Sequence, residues 1–247
     1  MINLKSPAEI ELMRKSGAIL RDLLLCIEEK IKPGVTTKKL DEFAYDFIKR
    51  RGATPSFLGY GGFPASICAS IDEVVVHGIP GHRRLEEGMI IGIDVGAVLN
   101  SWQSDAARTF AVGEVSEEKR RLMDVTRESF FAGVEKFREG GRLGDISQAV
   151  QEYNESRGFS VVRDMVGHGI GRQMHEDPQV PNFGRAGHGV KLEKGLVLAI
   201  EPMVNAGTWK VKILDDEWTC VTADGKPSAH YENTVALTEN GTEILTL

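Results

Sequence analysis

A chain of 247 residues with 41% apolar side chains can bury a sizeable core, as one large domain or two small ones. A formal charge of −6 and a pI near 5.6 leave no basic stripe to neutralise phosphates, which argues against nucleic acid as the main ligand. Cys26, Cys68 and Cys220 are odd in number and far apart, with no C-x-x-C, so they offer no thiolate metal site and suit reducing surroundings. The greasiest early run, residues 18–27, holds Arg21 and Asp22 and is too short to span a bilayer. Residues 1–7 lack the basic-then-apolar order of a signal peptide, so a soluble, cytoplasmic protein is expected, with no membrane partner.

Ser6-Pro7-Ala8-Glu9 reads as a helix start: a capping hydroxyl, a proline in the first turn and an acid three residues after the cap. The helix places Ile10, Met13, Gly17, Leu20, Leu24, Ile27 and Ile31 on one stripe and is stopped by Pro33-Gly34. A second helix opens near Thr36 or Thr37, buries Leu40, Phe43, Ala44, Phe47 and Ile48, and stops at Gly52. The glycine-rich aromatic stretch 58–64 reads as a loop, followed by short strands around 67–70 and 73–76 and a turn at 77–80.

Residues 89–105 read as a hairpin with a tight turn near Asn100. Side chains alternate faces along a strand, so folding the ribbon at 99–100 or at 100–101 puts Asp94 and Asp105 on one face, opposite or diagonal to each other. Two such carboxylates repel, and burial makes each worse off. Alone, the pair is readily explained as solvated on an open sheet.

Ser116 caps a third helix with Leu122, Phe130, Val134 and Phe137 inward and Gly140-Gly141 at its end; a fourth carries Ile146, Val150 and Tyr153 inward and stops at Gly158. Residues 167–171 read as a glycine loop, and the rest is strand-like: 196–204, 210–214, 218–221, 230–237 and 242–247.

The two halves rhyme. Residues 85–94, ending in Asp94, align without gaps on 192–201, ending in Glu201; each copy follows a His-Gly-Ile (His77, His168) and a helix ending Arg-Gly. One domain over 1–247 is expected, made of related halves of about 1–113 and 114–247, each a helix pair followed by antiparallel strands. Two acid-ended strands would then meet near the pseudo-twofold axis.

Asp94 and Glu201 each follow an apolar run, a poor place for a merely solvated acid, and Glu232 sits inside another strand-like run. Each alone reads as surface; together they make an inward-facing cluster, and clustered carboxylates need cations to hold them. His168 reads either as a core histidine or, from its flanking glycines, as a point of close backbone approach to something bound. Pro178 rules out the helical H-E-x-x-H zinc motif for His175-Glu176, and no Gly-Lys-Ser/Thr follows the glycines of 167–171 to make a phosphate loop.

Ile93-Asp-Val with Ser104-Asp105, Glu73-Val-Val-Val-His-Gly-Ile-Pro, Gly167-His-Gly-Ile-Gly, His175-Glu-Asp-Pro-Gln-Val, Ile200-Glu-Pro-Met-Val and Tyr231-Glu-Asn-Thr together resemble the type I methionine aminopeptidases, across essentially the whole chain. The resemblance implies the pita-bread α/β (α+β) fold, an antiparallel sheet with two helix pairs and an internal twofold. It also implies removal of the initiator methionine from nascent chains. By it, Asp94 and Asp105 would hold one divalent metal, Asp105 and Glu232 would bridge to a second, and His168 and Glu201 would complete that second site. Four carboxylates balance two divalent cations, and a hydroxide held between metals roughly 3.5–4 Å apart is a nucleophile at neutral pH. One imidazole among carboxylates suits Mn, Fe(II) or Co better than a thiolate-type zinc site, with Zn also a candidate.

Glu201 would also move the proton of the attacking water, the residue at His77 would contact the substrate backbone, and that at His175 would polarise the scissile carbonyl. The side-chain pocket would draw on Tyr60, Phe63, Cys68, Met174 and Trp218, with His77 and His175 beside the substrate; for nearby Phe57 the plain reading is core. A monovalent cation near Asp72, Val74 and Ser228, peptides with a small second residue as substrates, the ribosome as a further partner and a monomeric state are implied in the same way. Asp72, Gly61, Met174, His230 and Asn233 depart from the asparagine, histidine, phenylalanine, glutamine and histidine more usual there, which bears on pocket shape and pH profile. Prolidases and aminopeptidases P normally carry a large N-terminal domain for which 247 residues leave no room, and a non-catalytic binder would not need every ligand position filled.

Overall fold

Each half of the chain begins with a capped helix pair and continues into strands, as the repeat predicts. In this computed structural model, which describes residues 2–247, the first half runs α1 (Pro7–Glu28), α2 (Thr37–Arg50), β1 (Thr54–Pro55), β2 (Ile67–Ile71), β3 (Val74–Val76), β4 (Ile90–Leu99) and β5 (Trp102–Ala111). The second runs α3 (Glu117–Val134), α4 (Leu143–Glu155), β6 (Ser160–Val161), β7 (Gly167–Gly169), β8 (Glu176–Val180) and β9 (Val197–Ile200). It ends with β10 (Met203–Asn205), β11 (Val211–Ile213), β12 (Cys220–Thr222), β13 (Ser228–His230), β14 (Glu232–Thr238) and β15 (Gly241–Ile244).

The Ser6 hydroxyl accepts from the Glu9 amide while the Glu9 carboxylate accepts from the Ser6 amide at 2.8 Å, the reciprocal cap read from the sequence. Thr36 and Ser116 cap α2 and α3. Two helices end earlier than their apolar stripes: α1 at Glu28, before Ile31, and α3 at Val134, well short of Gly140. Ile31 and Phe137 stay buried because the chain tightens into three-residue turns there, Ile31 N–H donating to Glu28 O and Phe137 N–H to Val134 O.

One large antiparallel sheet follows the order β1-β4-β5-β14-β9-β7-β8, with β2 also on β4 and β15 also on β14. The strands β4, which carries Asp94, and β9, which Glu201 directly follows, thus flank the central pair β5/β14 on either side. β4 and β5 form a ten-residue ribbon that turns at Asn100 and Ser101, both with positive φ (51° and 67°), the two-residue turn whose twist suits flanking strands. On β4, Ile91, Ile93, Val95 and Ala97 pack against α1 and α2; on β9 and β14, Leu198, Ile200, Val235 and Leu237 pack against α3 and α4. Both helix pairs therefore claim the side-chain parity opposite to that of the acids. No helix among the described residues is long and apolar enough to cross a membrane.

Candidate metal centre

Strand pairing alone sets which side chains can meet. Asp94 on β4 and Glu232 on β14 both pair with Ala107 on β5, so the three share one face of the sheet, and Asp105, two residues before Ala107, shares it too. On the other side of β14, Thr234 and His168 both pair with Ala199, which puts His168 and Glu201 on the face that Glu232 occupies. The five side chains predicted as ligands line a single cavity of about 150 Å³. Of the two placements the hairpin allows for Asp94 and Asp105, opposite or diagonal, the register shows the diagonal one, since Gly96 rather than Asp94 pairs with Asp105.

Charge is badly compensated in this cavity. Asp105 and Glu232 are only 4% and 2% exposed. Among the described residues, no lysine or arginine pairs with the carboxylates of Asp94, Asp105, Glu201 or Glu232. Arg108, beside the cluster, donates to the Glu232 carbonyl at 2.5 Å and to Asn233 Oδ1 at 2.7 Å instead. Burial pushes the Asp94 carboxyl up to about 7 and that of Glu201 up to about 8. Asp105 and Glu232 are raised strongly, by burial first and then by the neighbouring acids. Asp94 Oδ1, Asp105 Oδ1 and Glu232 Oε1 have no hydrogen-bond partner at all.

Buried, orphaned and mutually repelling oxygens fit a site built for cations. Asp105, His168 and Glu232 offer ligand atoms that all lie within 4.8 Å of one another, and so do Asp94, His230 and Glu232. Glu232 belongs to both groups, so two neighbouring cation positions share it.

Burial lowers the pKa of each histidine around the cavity. His168 donates from Nδ1 to Gly169 O at 2.8 Å, which leaves the Nε2 lone pair facing Asp105 Oδ2 at 3.8 Å and Glu201 Oε1 at 3.7 Å. Burial takes its pKa down to about 4, and does the same to His77. His77 adopts φ 59°, an uncommon conformation for a residue with a side chain, and its ring stands edge-on to Trp218 at 6.4 Å. His175 lies 4.3 Å ring to ring from His168 and shares a 2.7 Å hydrogen bond between Nδ1 and the Tyr60 hydroxyl.

Of the residues expected around a side-chain pocket, Tyr60, Phe63, Cys68, His77, His175 and Trp218 line the cavity, and Phe57, read as core, lines it as well. Met174 does not. It is 2% exposed, clustered with Trp102 and Ile170, and set against Gly96, where an added Cβ would come within 2.6 Å of its Cε. The glycines flanking His168 also need a different explanation from a bound group. A Cβ on Gly167 would lie 2.4 Å from Ala199 O and one on Gly169 2.1 Å from Asp177 O, so neighbouring strands approach there, and 167–169 is strand, not loop. Gly61 has φ 55°, with its missing Cβ 3.3 Å from the Trp218 ring, which leaves little room for the histidine more usual there. Asp72 accepts from Lys119 Nζ at 2.6 Å and its carbonyl accepts from the Ser228 amide, so its carboxylate is already paired.

His230, which the sequence marks only as a departure from the glutamine more usual there, also stands in the cluster. Its position two residues before Glu232 in an extended run was the available signal, because i and i+2 share a face.

Residues 11–239 match the model of metallopeptidase family M24. A methionine aminopeptidase of Clostridium acetobutylicum is 62% identical over 248 positions, covering 100% of this chain and 99% of the relative. The crystal structure of a methionine aminopeptidase from Rickettsia prowazekii superposes with a TM-score of 0.99 at 42% identity, over 100% of both chains. A prolidase from Pyrococcus furiosus superposes at 0.80 with 24% identity, over 65% of its length, a likeness of fold.

Proposed function

The chain belongs to metallopeptidase family M24, and within it to the methionine aminopeptidases with their pita-bread fold, and from that premise we propose how its residues divide the work. Its activity is the metal-dependent removal of N-terminal methionine from peptides, carried out by a single catalytic unit of two related halves. The observation that carries the assignment of residues is the convergence of Asp94, Asp105, His168, Glu201 and Glu232 on one cavity with orphaned carboxylate oxygens.

Asp94, Asp105 and Glu232 would hold one divalent cation, and Asp105, Glu232, His168 and Glu201 a second. Such a pair, when bound, polarises a carbonyl and lowers the pKa of water. The oxygen-rich donors suit Mn, Fe(II) or Co, with Zn also able to bind. Any monovalent cation near Asp72, Val74 and Ser228 would rely on backbone oxygens, because Lys119 already neutralises the Asp72 carboxylate.

Glu201, partly exposed at the edge of the cluster, takes the proton of the attacking water and returns it to the leaving amine. With the Tyr60 hydroxyl, 2.7 Å from Nδ1, as the donor, His175 would carry its own proton on Nε2, the nitrogen placed to donate to the scissile carbonyl oxygen. Burial lowers its pKa, which favours the neutral form as the donor. His77, held neutral on a constrained backbone, hydrogen-bonds the substrate main chain.

The methionine side chain fits the wall made by Phe63 and Trp218, which pack edge to face at 5.1 Å, with Tyr60, Phe57 and the buried Cys68 thiol completing it. Cys68 pairs directly with Asp94 across β2 and β4, so the pocket floor abuts the cation site. Metal-reconstituted protein offered Met-Ala-Ser, Leu-Ala-Ser and Ala-Pro peptides tests the assignment. Cleavage of the first alone is expected. Cleavage of Ala-Pro would mark a prolidase-like enzyme, and an inert metal-loaded protein would mark a binding module.

A further inference from the structure

We propose that His230 is itself a cation ligand, so that each of the two cation positions carries one imidazole. The inference rests on the reading of the carboxylate cluster as a cation site, and it concerns a side chain outside the five ligands named above. His230 is the last residue of β13, and Tyr231 between it and Glu232 turns the other way, into Phe130 and Phe131. The His230 backbone is held on both sides by one hydroxyl: its N–H donates to Thr109 Oγ1 and its carbonyl accepts from the same atom, each at 2.9 Å. The imidazole is therefore presented from a fixed base, 4% exposed, into the carboxylates.

Its Nε2 lies 3.4 Å from Glu201 Oε2 and 3.7 Å from Glu232 Oε2, and has no hydrogen-bond partner. Those separations exceed an N–H···O hydrogen bond of about 2.7–3.2 Å. The spacing to Glu232 matches two donors sharing one cation, at the position that Asp94, Glu232 and His230 surround together: ligands each about 2.0–2.2 Å from a divalent ion stand roughly 3–4 Å apart. His168 shows the same spacing on the other side of the cluster, with Nε2 3.8 Å from Asp105 and 3.7 Å from Glu201. A neutral imidazole adds a donor without adding charge, so four carboxylates still balance two divalent cations. Glutamine at this position would offer only an amide, whose nitrogen has no free lone pair. The second nitrogen shifts the preference of the centre from Mn(II) toward Co(II) and its later neighbours.

Calorimetric titration of the cation-free protein with Mn(II) and, separately, Co(II), in wild type and His230→Gln, tests this. Co(II) affinity should fall roughly tenfold or more in the variant, as for lost support of a metal site, and Mn(II) affinity clearly less. Proton NMR of the Co(II)-loaded protein gives a readout on the wild type itself. Two solvent-exchangeable, hyperfine-shifted imidazole N–H resonances are expected, one of them lost in His230→Gln and the other in His168→Gln. Wild type that binds two cations with a single such resonance, or equal affinity losses for both metals, overturns the inference while leaving the cation site standing. Wild type that binds neither metal overturns the cation site and the inference with it.

Discussion

Asp94 and Glu232 stand on opposite sides of Ala107, each paired with it in register, so a single methyl group separates two buried carboxylates. The small side chain leaves the gap that cations would fill. Ala107→Leu should close it, at a stability cost of about 1–3 kcal/mol for overpacking, and the purified variant should retain less than one cation per chain by elemental analysis. Full metal content in a folded Ala107→Leu protein would contradict the geometry.

Glu232 belongs to both candidate cation positions, so Glu232→Ala should abolish metal retention and peptidase activity while the fold survives. Saturating Mn(II) or Co(II) should raise the melting temperature of wild type by mass action and leave that of the variant unmoved. The cation-free variant should be at least as stable as cation-free wild type, because one buried like charge is gone. A variant still stabilised by metal would remove Glu232 from its bridging role.

The cation-free protein should also carry a pH signature. The folded carboxyls of Asp94 and Glu201 titrate at about 7 and about 8, well above their ordinary 3.8 and 4.5. Their contribution to stability is complete below about pH 4 and is lost as pH rises through 7–8, because the folded state then holds protons that the unfolded chain has released. Guanidinium unfolding at pH 5, 7 and 9 should show stability falling across the series, and saturating divalent cation should remove the fall. A pH-independent unfolding curve without metal would mean that the acids are not buried together.

Lys5 reaches across 171 residues of sequence to Glu176, beside His175, at 2.6 Å, with the two side chains 1% and 12% exposed. Breaking a buried pair by removing one partner costs about 3–5 kcal/mol. Lys5→Met should therefore destabilise the protein by that order in denaturant unfolding, and Lys5→Met/Glu176→Gln by less. Equal losses in the single and double variants would show no coupling.

Tyr60→Phe keeps the ring against His175 and deletes the hydroxyl hydrogen-bonded to its Nδ1, which on the proposed tautomer leaves the proton on Nε2. A neutral hydrogen bond of about 0.5–1.5 kcal/mol corresponds to roughly a 2–10-fold fall in kcat, with KM for a methionyl peptide little changed. A change confined to KM would make Tyr60 a pocket wall only.

Much of the centre could be read from the chain because strand alternation is a local rule: the parity of Asp94, Asp105 and Glu232 follows from counting along single strands. The matching of 85–94 to 192–201 marks Asp94 and Glu201 as equivalent, and β4 and β9 do lie on either side of the β5/β14 pair; neither acid ends its strand as that matching suggests, because β4 runs on to Leu99 and Glu201 stands one residue past β9. What escaped depends on contacts between distant segments. Met174 belongs to the core because the turn after β7 folds it toward Gly96 and Trp102, and no local period encodes that. The glycines around His168 answer to the backbones of β8 and β9, which a single strand cannot reveal. His230 was legible in parity but masked by its short strand, β13, which pairs with β10 in a separate sheet from Glu232.

The most direct test of the whole account is anomalous diffraction from crystals of the protein soaked in Mn(II) or Co(II). Two peaks should appear in the cavity between Asp94, Asp105, His168, Glu201 and Glu232, with Glu232 contacting both. Peaks confined to the outer surface, with those five side chains bonded only to protein or water, would contradict it.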